Sequence, residues 1–131
     1  KEEVLHQLCA RIAEKADVPE TFEEYVMRRE QIMQTDFGNC VAIPHPYAPI
    51  TQETFVSVAV LNKPIHWFTH DVQVVFLLSI SVNKENLEDF YNISPMFMLD
   101  EEFVQTLIRE KSYEVLISAI KKIEDDYEWR T

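Results

Sequence analysis

The first part of the chain has two stretches in which apolar residues recur every three or four positions, the period of an amphipathic helix. The first stretch contains the apolar residues Val4, Leu5, Leu8, Cys9, Ile12, Ala13 and Ala16. We expect this helix to end at Asp17-Val18-Pro19, because proline disfavours its continuation. A second helix is predicted after Thr21, since Thr21 and Glu24 have the spacing of a capping box. Its predicted apolar face consists of Phe22, Tyr25, Val26, Ile32 and Met33.

Apolar stretches rich in β-branched residues follow these helices and predict strands. A short strand is expected at about Cys40 to Ile43, and a second one at Phe55 to Leu61. Asn62-Lys63-Pro64 is predicted to turn the chain, with Ile65-His66-Trp67 as a brief strand after the turn. Val72 to Ser81 is the longest apolar run, so we expect a central strand that is covered on both faces.

The pattern after Asn83 is helical, and a helix interrupted at Pro95 is expected first. Asp100 is expected to cap a short helix, and Ser112 to cap a last one. The short helix carries the apolar residues Phe103, Leu107 and Ile108. Helices, strands and helices in this order predict the α/β class, as a three-layer sandwich with a mixed central sheet and helices on both faces. With 131 residues, the chain is expected to be a single domain, 1–131.

The chain is acidic, with a formal net charge of −11. Such a surface repels phosphates, so no direct nucleic-acid contact is expected, and a basic protein partner fits better. No apolar run reaches the length of a membrane span and no signal-peptide pattern opens the sequence, so no membrane span is expected. Cys9 and Cys40 lack metal-ligand spacing and predict two reduced, buried thiols in a cytoplasmic protein.

The stretch from Phe37 to Pro46 carries the candidate chemistry. It contains the only glycine of the chain, Gly38, and it ends with His45 between Pro44 and Pro46. Because proline fixes its own φ and restricts the residue before it, His45 is predicted to be held stiffly at the end of a strand. The residues alone leave two interpretations open, a structural histidine in a rigid turn and an imidazole positioned for chemistry.

The other histidines give weaker signals. His66 and His70 are four residues apart, which on a helix would place both on one face and allow zinc binding. Pro64 and the Ile-His-Trp-Phe sequence disfavour a helix there, and no third ligand is evident, so neither a metal nor a cofactor is predicted. His6 falls beside charged residues of the first helix and is expected to be solvated.

The pair Gly38-Asn39 followed by Ala42-Ile43-Pro44-His45 resembles the phosphorylation-site signature of fructose/mannitol-type enzyme IIA domains of the bacterial phosphotransferase system. The likeness extends upstream to Arg29-Glu30 and Thr35 and downstream through Val72 to Leu78, so it covers most of the chain. The resemblance implies the enzyme IIA (mannitol/fructose)-like fold and His45 as the phosphoacceptor.

The resemblance also implies roles for neighbouring residues. Arg29 takes the position of an arginine that stabilises the charge of the transferring phosphoryl group. Thr35 and Asn39 match the polar positions that support the phosphoryl site in that family. The structural alternatives are a helix-end cation for Arg29, a loop hydrogen bond for Thr35 and a turn residue for Asn39.

The chain departs from the family pattern at Asn86. Transport-type enzyme IIA domains usually have a second histidine, followed by leucine, at the start of the helix after the central strand, and here the sequence is Asn86-Leu87. Asparagine can donate a hydrogen bond to a phosphoryl oxygen but carries neither a proton nor a charge. Asn86 is therefore expected at the site, with phosphorylation of His45 retained and relay onward weakened.

Two functions fit this resemblance. The first is a phosphorylatable regulatory domain like the enzyme IIA-like module at the C-terminus of BglG-type transcriptional activators and antiterminators, and Asn86 and the uncapped start at Lys1 favour it. Lys1 opens inside a helical pattern, which indicates a fragment of a longer regulatory protein. The alternative is a transport enzyme IIA component that passes phosphate from HPr to a sugar-specific enzyme IIB. A third function, an interaction module without phosphorylation, also stays open.

The partners follow from the same resemblance. HPr, enzyme IIB or both are expected as phosphotransferase partners, together with upstream regulatory domains of the same chain. The sugar and the oligomeric state stay open, a homodimer formed through the full-length protein being one option. The domain is expected to be a phosphohistidine acceptor, and whether it also turns over as an enzyme is undetermined from the sequence.

Overall fold

The computed structural model describes residues 1–82 and 98–111. Contacts within the chain group it into two compact units, Lys1–Lys84 and Glu85–Thr131. The expectation of a single domain over 1–131 stays a prediction. The predicted helix interrupted at Pro95 and the predicted last helix after Ser112 lie outside the described residues.

The first unit opens with two amphipathic helices, as predicted. Helix α1 spans Glu2–Lys15 and buries Leu5, Leu8, Cys9 and Ile12, which share one face. Helix α2 spans Phe22–Ile32. Thr21 stands at its N-cap, but the Thr21 side chain makes no capping hydrogen bond, so the predicted capping box is wrong. The reason is the backbone of Thr21 (φ −81°, ψ 1°), which is not the extended geometry that aims an N-cap side chain at the first turn.

The buried stripe of α2 also differs from the prediction. It consists of Phe22, Val26 and Glu30, which follow each other at four-residue spacing. Ile32 and Met33 were predicted to face the core and are each 66% exposed. Ile32 is the last residue of the helix and does not fall on the four-residue spacing of the buried stripe. Met33 lies beyond the helix with an extended backbone (φ −155°, ψ 128°), so the helical periodicity no longer directs the Met33 side chain inward.

In the described residues, four strands form one mixed sheet in the order β1-β2-β4-β3. Strand β1 (Asp36–Phe37) runs antiparallel to β2 (Val41–Ala42), which lies parallel to β4 (Asp71–Ser79). Strand β3 (Phe55–His66) is antiparallel to β4. The mixed sheet predicted for the α/β class is confirmed, and β1 is a strand that the sequence pattern did not predict.

Strand β3 corrects the prediction of a turn at Asn62-Lys63-Pro64. The strand continues through these residues to His66, and the pairing register with β4 shifts between Val60 and Ile65. Pro64 lies within this irregular part of the pairing. In addition, β3 is an edge strand in the described sheet, where proline is tolerated because its missing N–H need not break a hydrogen bond between strands.

Strand β4 is central and buried on both faces, as predicted. Val75 and Leu77 belong to the core that α1 and α2 form with the sheet. Val74 and Phe76 alternate with them, so they point to the opposite face, and both are fully buried too. The motif strand β2 thus borders the most buried strand of the sheet, which gives the segment after it a rigid base.

The described part of the second unit contains helix α3 (Glu101–Glu110). The Asp100 carboxylate accepts a hydrogen bond from the backbone N–H of Phe103, which confirms the predicted cap. Lys111 ends the helix in the left-handed conformation. Phe103, Val104 and Leu107 are its buried side chains.

Candidate functional site

The turn between β1 and β2 fixes the start of the motif. Asn39 and Cys40 are both in the left-handed region, with φ of 67° and 65°, and Gly38 is not. Asparagine tolerates this conformation, whereas it is uncommon for cysteine. The carbonyl of Cys40 accepts hydrogen bonds from the N–H groups of Gln73 and Val74, at 2.9 and 3.0 Å. The turn is therefore tied to the central strand β4, and the left-handed backbone is held in place.

The backbone on both sides of His45 is anchored. The N–H of Ile43 donates to the carbonyl of Thr35 at 3.0 Å, and the N–H of Leu78 donates to the carbonyl of Pro44 at 2.9 Å. One bond links the motif to the segment after α2 and the other links it to β4. The stiff setting that was predicted for His45 from its flanking prolines is thus reinforced by hydrogen bonds from two directions.

The ring of His45 is oriented by its own backbone neighbour. Nδ1 lies 3.1 Å from the carbonyl oxygen of Ile43. A carbonyl can only accept, so Nδ1 carries the proton and donates it. In the neutral ring, Nε2 then has the free lone pair. This is the arrangement that a nucleophilic imidazole requires.

The surroundings of His45 keep the ring neutral. Partial burial lowers the pKa of His45 below its ordinary value of 6.5, and the positive charge of Arg29 lowers it further. The hydrogen bond to Ile43 and the negative charge of Glu30 oppose this and raise the pKa, but the net direction is downward. Near neutral pH, the ring is therefore unprotonated at Nε2 and available as a nucleophile.

Arg29 lies in the last turn of α2 and is half-buried. Its Nη1 donates to the carbonyl of Met33 at 2.6 Å, which satisfies one of the backbone acceptors left free at the helix end. This is the predicted structural role, and it uses one of five guanidinium donors. Arg29 is also near enough for its charge to lower the pKa of His45. Both interpretations of Arg29 are compatible with its position.

Glu30 is a buried carboxylate that the sequence analysis did not assign to the site. It is 2% exposed and accepts hydrogen bonds from the Thr35 hydroxyl and from the Trp67 Nε1–H, the latter at 3.1 Å. The Thr35 N–H also points at it, at 3.3 Å. The available signal was its four-residue spacing from Phe22 and Val26, which puts a charge on the apolar stripe of α2.

These contacts connect Glu30 to His45 through Thr35 and Ile43. The Thr35 side chain binds Glu30, the Thr35 carbonyl accepts the N–H of Ile43, and the Ile43 carbonyl accepts the Nδ1–H of His45. Each member is held by the one before it. Glu30, Thr35 and Ile43 therefore form a hydrogen-bonded support for the histidine, which we call the Glu30 support.

Thr35 and Asn39 were both expected beside the phosphoryl group. Thr35 is buried and its hydroxyl is bonded to Glu30, which is the loop hydrogen bond foreseen as its structural alternative. Asn39 lies in the turn, which is the structural alternative that was foreseen for it. The Asn39 Nδ2 is a buried donor without a hydrogen-bond partner. Their contact with a phosphoryl group stays a prediction.

The remaining candidates lie elsewhere or outside the described residues. Asn86 is not among the described residues, so its position at the site stays a prediction. His66 is paired with Asp71 at 3.2 Å and His70 lies 3.5 Å from Asp36. Across residues 1–82 and 98–111, no three metal-ligating side chains converge. In the same residues, no helix combines the length and apolar character needed to cross a membrane.

Both cysteines are free thiols, as predicted, but only Cys9 is buried. Cys9 is buried in the core, and burial raises its pKa to about 12, which makes it unreactive. Cys40 is half-buried rather than buried, because it sits in the left-handed turn at the end of the sheet. His6 is exposed, as expected, and its Nδ1 lies 2.9 Å from Glu23 on α2.

Comparison with known families identifies one match over nearly the whole sequence. The family model described as phosphoenolpyruvate-dependent sugar phosphotransferase system, EIIA 2, matches residues 1–123. This match covers the Glu30 support, His45 and Arg29, together with residues 85–123 of the second unit.

Curated relatives include regulators and phosphotransfer proteins. The chain is similar to the probable licABCH operon regulator of Bacillus subtilis (strain 168), 38% identical over 117 residues, which are 88% of this chain and 18% of the regulator. The transcriptional regulator ManR of the same organism is 26% identical over the same shares. Multiphosphoryl transfer protein 1 of Escherichia coli (strain K12) is 33% identical over 64% of this chain and 11% of its own length. The chain thus spans about a fifth, 18%, of the two regulators.

Solved structures with the same fold are enzyme IIA proteins. The complex of enzyme IIA mannitol with phosphorylated enzyme IIB mannitol from Escherichia coli matches with a TM-score of 0.78 at 16% identity, covering 93% of this chain and 88% of that one. The crystal structure of IIA mannitol from Escherichia coli matches with a TM-score of 0.75 at 14% identity, covering 91% and 87%. At these identities the likeness shows the fold, and it confirms the predicted enzyme IIA (mannitol/fructose)-like class.

Proposed function

This chain belongs to the EIIA 2 family of the phosphoenolpyruvate-dependent sugar phosphotransferase system, and we propose that it is a phosphorylatable regulatory domain whose His45 accepts a phosphoryl group. The observation that carries this proposal is the 3.1 Å contact between His45 Nδ1 and the Ile43 carbonyl. It leaves Nε2 as the nucleophilic nitrogen of a neutral ring. The lowered pKa of His45 keeps this form populated at neutral pH.

The transfer step uses few protein groups. Nε2 of His45 attacks the phosphorus of a phosphorylated donor protein, the new N–P bond forms, and the bond between phosphorus and the donor side chain breaks. The proton on Nδ1 stays in its hydrogen bond to the Ile43 carbonyl throughout. Arg29 has guanidinium donors beyond the one bound to Met33, and these stabilise the charge on the phosphoryl oxygens. The donor is HPr or an enzyme IIB.

A regulatory role is favoured by the relatives. The two regulators match 88% of this chain, and their names assign them to operon and transcriptional control. Asn86 supports the same role, because a neutral amide in place of a second histidine suits a long-lived phosphohistidine. The domain then reports sugar supply to other domains of a longer cytoplasmic protein and does not itself contact nucleic acid.

The second candidate is a transport component. Its support is the similarity to multiphosphoryl transfer protein 1 and the fold shared with an enzyme IIA that is bound to phosphorylated enzyme IIB. Both roles require His45 as acceptor. They differ in how fast the phosphoryl group leaves.

The test of the shared step is phosphorylation of the 131-residue chain by enzyme I, HPr and phosphoenolpyruvate. We expect an acid-labile, alkali-stable phosphate that is lost in His45→Ala and retained in His66→Ala, a matched control at an exposed histidine. Label that survives His45→Ala would refute the assignment. A single-turnover chase with enzyme IIB separates the two roles, since slow discharge supports the regulatory role and rapid discharge supports the transport role.

A further inference from the structure

A groove of about 690 Å³ runs between helix α1 and strand β3. Its floor is apolar, with Leu8 and Ile12 from the helix and Phe55, Ala59 and Leu61 from one face of the strand. The groove lies wholly within the first unit. Neither His45 nor any member of the Glu30 support lines it, so the proposed phosphorylation does not account for it.

One wall of the groove is the outer edge of β3. In the described sheet, β3 pairs with β4 alone, so every second residue turns its backbone N–H and C=O groups away from β4. Natural edge strands are usually protected by charges, prolines or bulges. Those devices occur in β3 only at Lys63 and Pro64 and at the register shift beside them. The segment 55–61 has neither a charge nor a proline, and among residues 1–82 and 98–111 no strand pairs with its outer edge.

The other wall carries positive charge. Arg11 and Lys15 are four residues apart on the same face of α1, both exposed and both lining the groove. Neither forms an ion pair with another described residue. No acidic residue appears among the described residues that line the groove, although the chain has 23 Asp and Glu residues. The groove is thus a cationic and apolar site on an acidic domain.

We propose that this groove binds an extended segment of a partner protein by addition of a strand to β3, and that the segment carries both acidic and apolar side chains on the face that points to α1. Main-chain hydrogen bonds to segment 55–61 provide affinity. Every second side chain of the added strand lies on the α1 side of the sheet, where apolar side chains contact the floor and carboxylates contact Arg11 and Lys15. A second copy of this chain fits less well. Pairing of two copies through this groove would place Arg11 and Lys15 of one copy against Arg11 and Lys15 of the other, and these like charges repel each other.

The direct test is titration of the 131-residue chain with a short blocked peptide, followed by amide NMR. The odd positions of the peptide, which share one face, are valine and glutamate in turn, and its even positions are threonine. We expect chemical-shift changes and slowed amide exchange in segment 55–61. The double variant Arg11→Glu/Lys15→Glu should weaken binding by about tenfold to a hundredfold, because two solvent-exposed attractions become repulsions. Arg109→Glu is the matched control, an exposed cation of α3 that does not line the groove, and it should bind like the unmodified chain.

Two further arms separate the parts of the proposal. A lysine-for-glutamate peptide should not bind, and N-methylation of alternate residues on the pairing edge of the peptide should abolish binding. Arg11→Gln/Lys15→Gln, with an unchanged thermal midpoint, repeats the charge test without reversal. Absence of shifts at millimolar peptide, shifts outside α1 and β3, or equal binding by the charge variants would overturn the proposal. Concentration-dependent exchange protection of 55–61 without peptide would also overturn it, in favour of pairing between copies.

Discussion

Thr35 offers the sharpest test of the Glu30 support, because one side-chain atom can be removed with little change of shape. Thr35 is 3% exposed, and its hydroxyl donates to the carboxylate of Glu30, itself 2% exposed. Thr35→Val replaces the hydroxyl with a methyl group and leaves the carboxylate one donor short. The backbone carbonyl of Thr35 still accepts the N–H of Ile43 at 3.0 Å.

The expected loss of stability follows from the charge and burial of this bond. Hydrogen bonds to charged groups contribute about 1.5–3 kcal/mol, and a buried acceptor left without its donor cannot recover this from water. We therefore expect Thr35→Val to lower the free energy of unfolding by about 2 kcal/mol. For a chain of this size, that corresponds to a fall in Tm of about 8 °C.

The assay is thermal unfolding followed by circular dichroism, with Thr21→Val as the matched control. Thr21 is exposed and its side chain makes no capping bond, so its replacement should change Tm by less than about 2 °C. Phosphorylation of Thr35→Val should slow by less than about tenfold, whereas loss of a direct phosphoryl donor would cost about 10²–10³. Equal Tm values for the two valine variants would refute the Glu30 support, and a rate loss of the larger size would refute an indirect role for Thr35.

Three further predictions concern the site. Arg29→Ala should slow phosphorylation of His45 by about one to three powers of ten, with partial recovery in Arg29→Lys, whereas a purely helix-capping role predicts only about 0.5 kcal/mol of lost stability and an unchanged rate. Because burial lowers the pKa of His45, the midpoint of the acid limb of the rate should lie below pH 6.5, the ordinary histidine value. The acid limb should move to higher pH in Arg29→Ala, because the arginine contributes to the lowering, and an unmoved limb would contradict this. Asn86→His should speed discharge to enzyme IIB in a single-turnover chase, and an unchanged rate would remove Asn86 from the site.

Local signals predicted the elements whose sequence and packing agree. Helix α1 follows its apolar period, β4 follows its apolar run, and Asp100 caps α3 as its residue type suggests. Strand β3 did not follow local signals. Pro64 marks a turn in most sequences, and only the position of β3 at the edge of the described sheet makes it tolerable there.

In the candidate site too, features that depend on the local sequence were predicted and features that depend on distant residues were not. His45 was predicted from its flanking prolines and from the family motif, which are local features. Glu30 was not, because a glutamate in an amphipathic helix is usually solvated, and its burial depends on Trp67, 37 residues away in the sequence. The orientation of the His45 ring was likewise undetermined, since it depends on the backbone carbonyl of Ile43.

The proposal that His45 is phosphorylated at Nε2 is the central claim, and the position of the phosphoryl group on the ring tests it most directly. The hydrogen bond from Nδ1 to the Ile43 carbonyl requires that Nε2 be phosphorylated while Nδ1 stays protonated. The two-bond ¹H–¹⁵N NMR spectrum of the ¹⁵N-histidine-labelled chain, recorded before and after phosphorylation by HPr, distinguishes the two isomers. We predict phosphorus coupling to Nε2 of His45 and a retained proton on Nδ1. Phosphorylation at Nδ1, or at His66 or His70, would contradict the account.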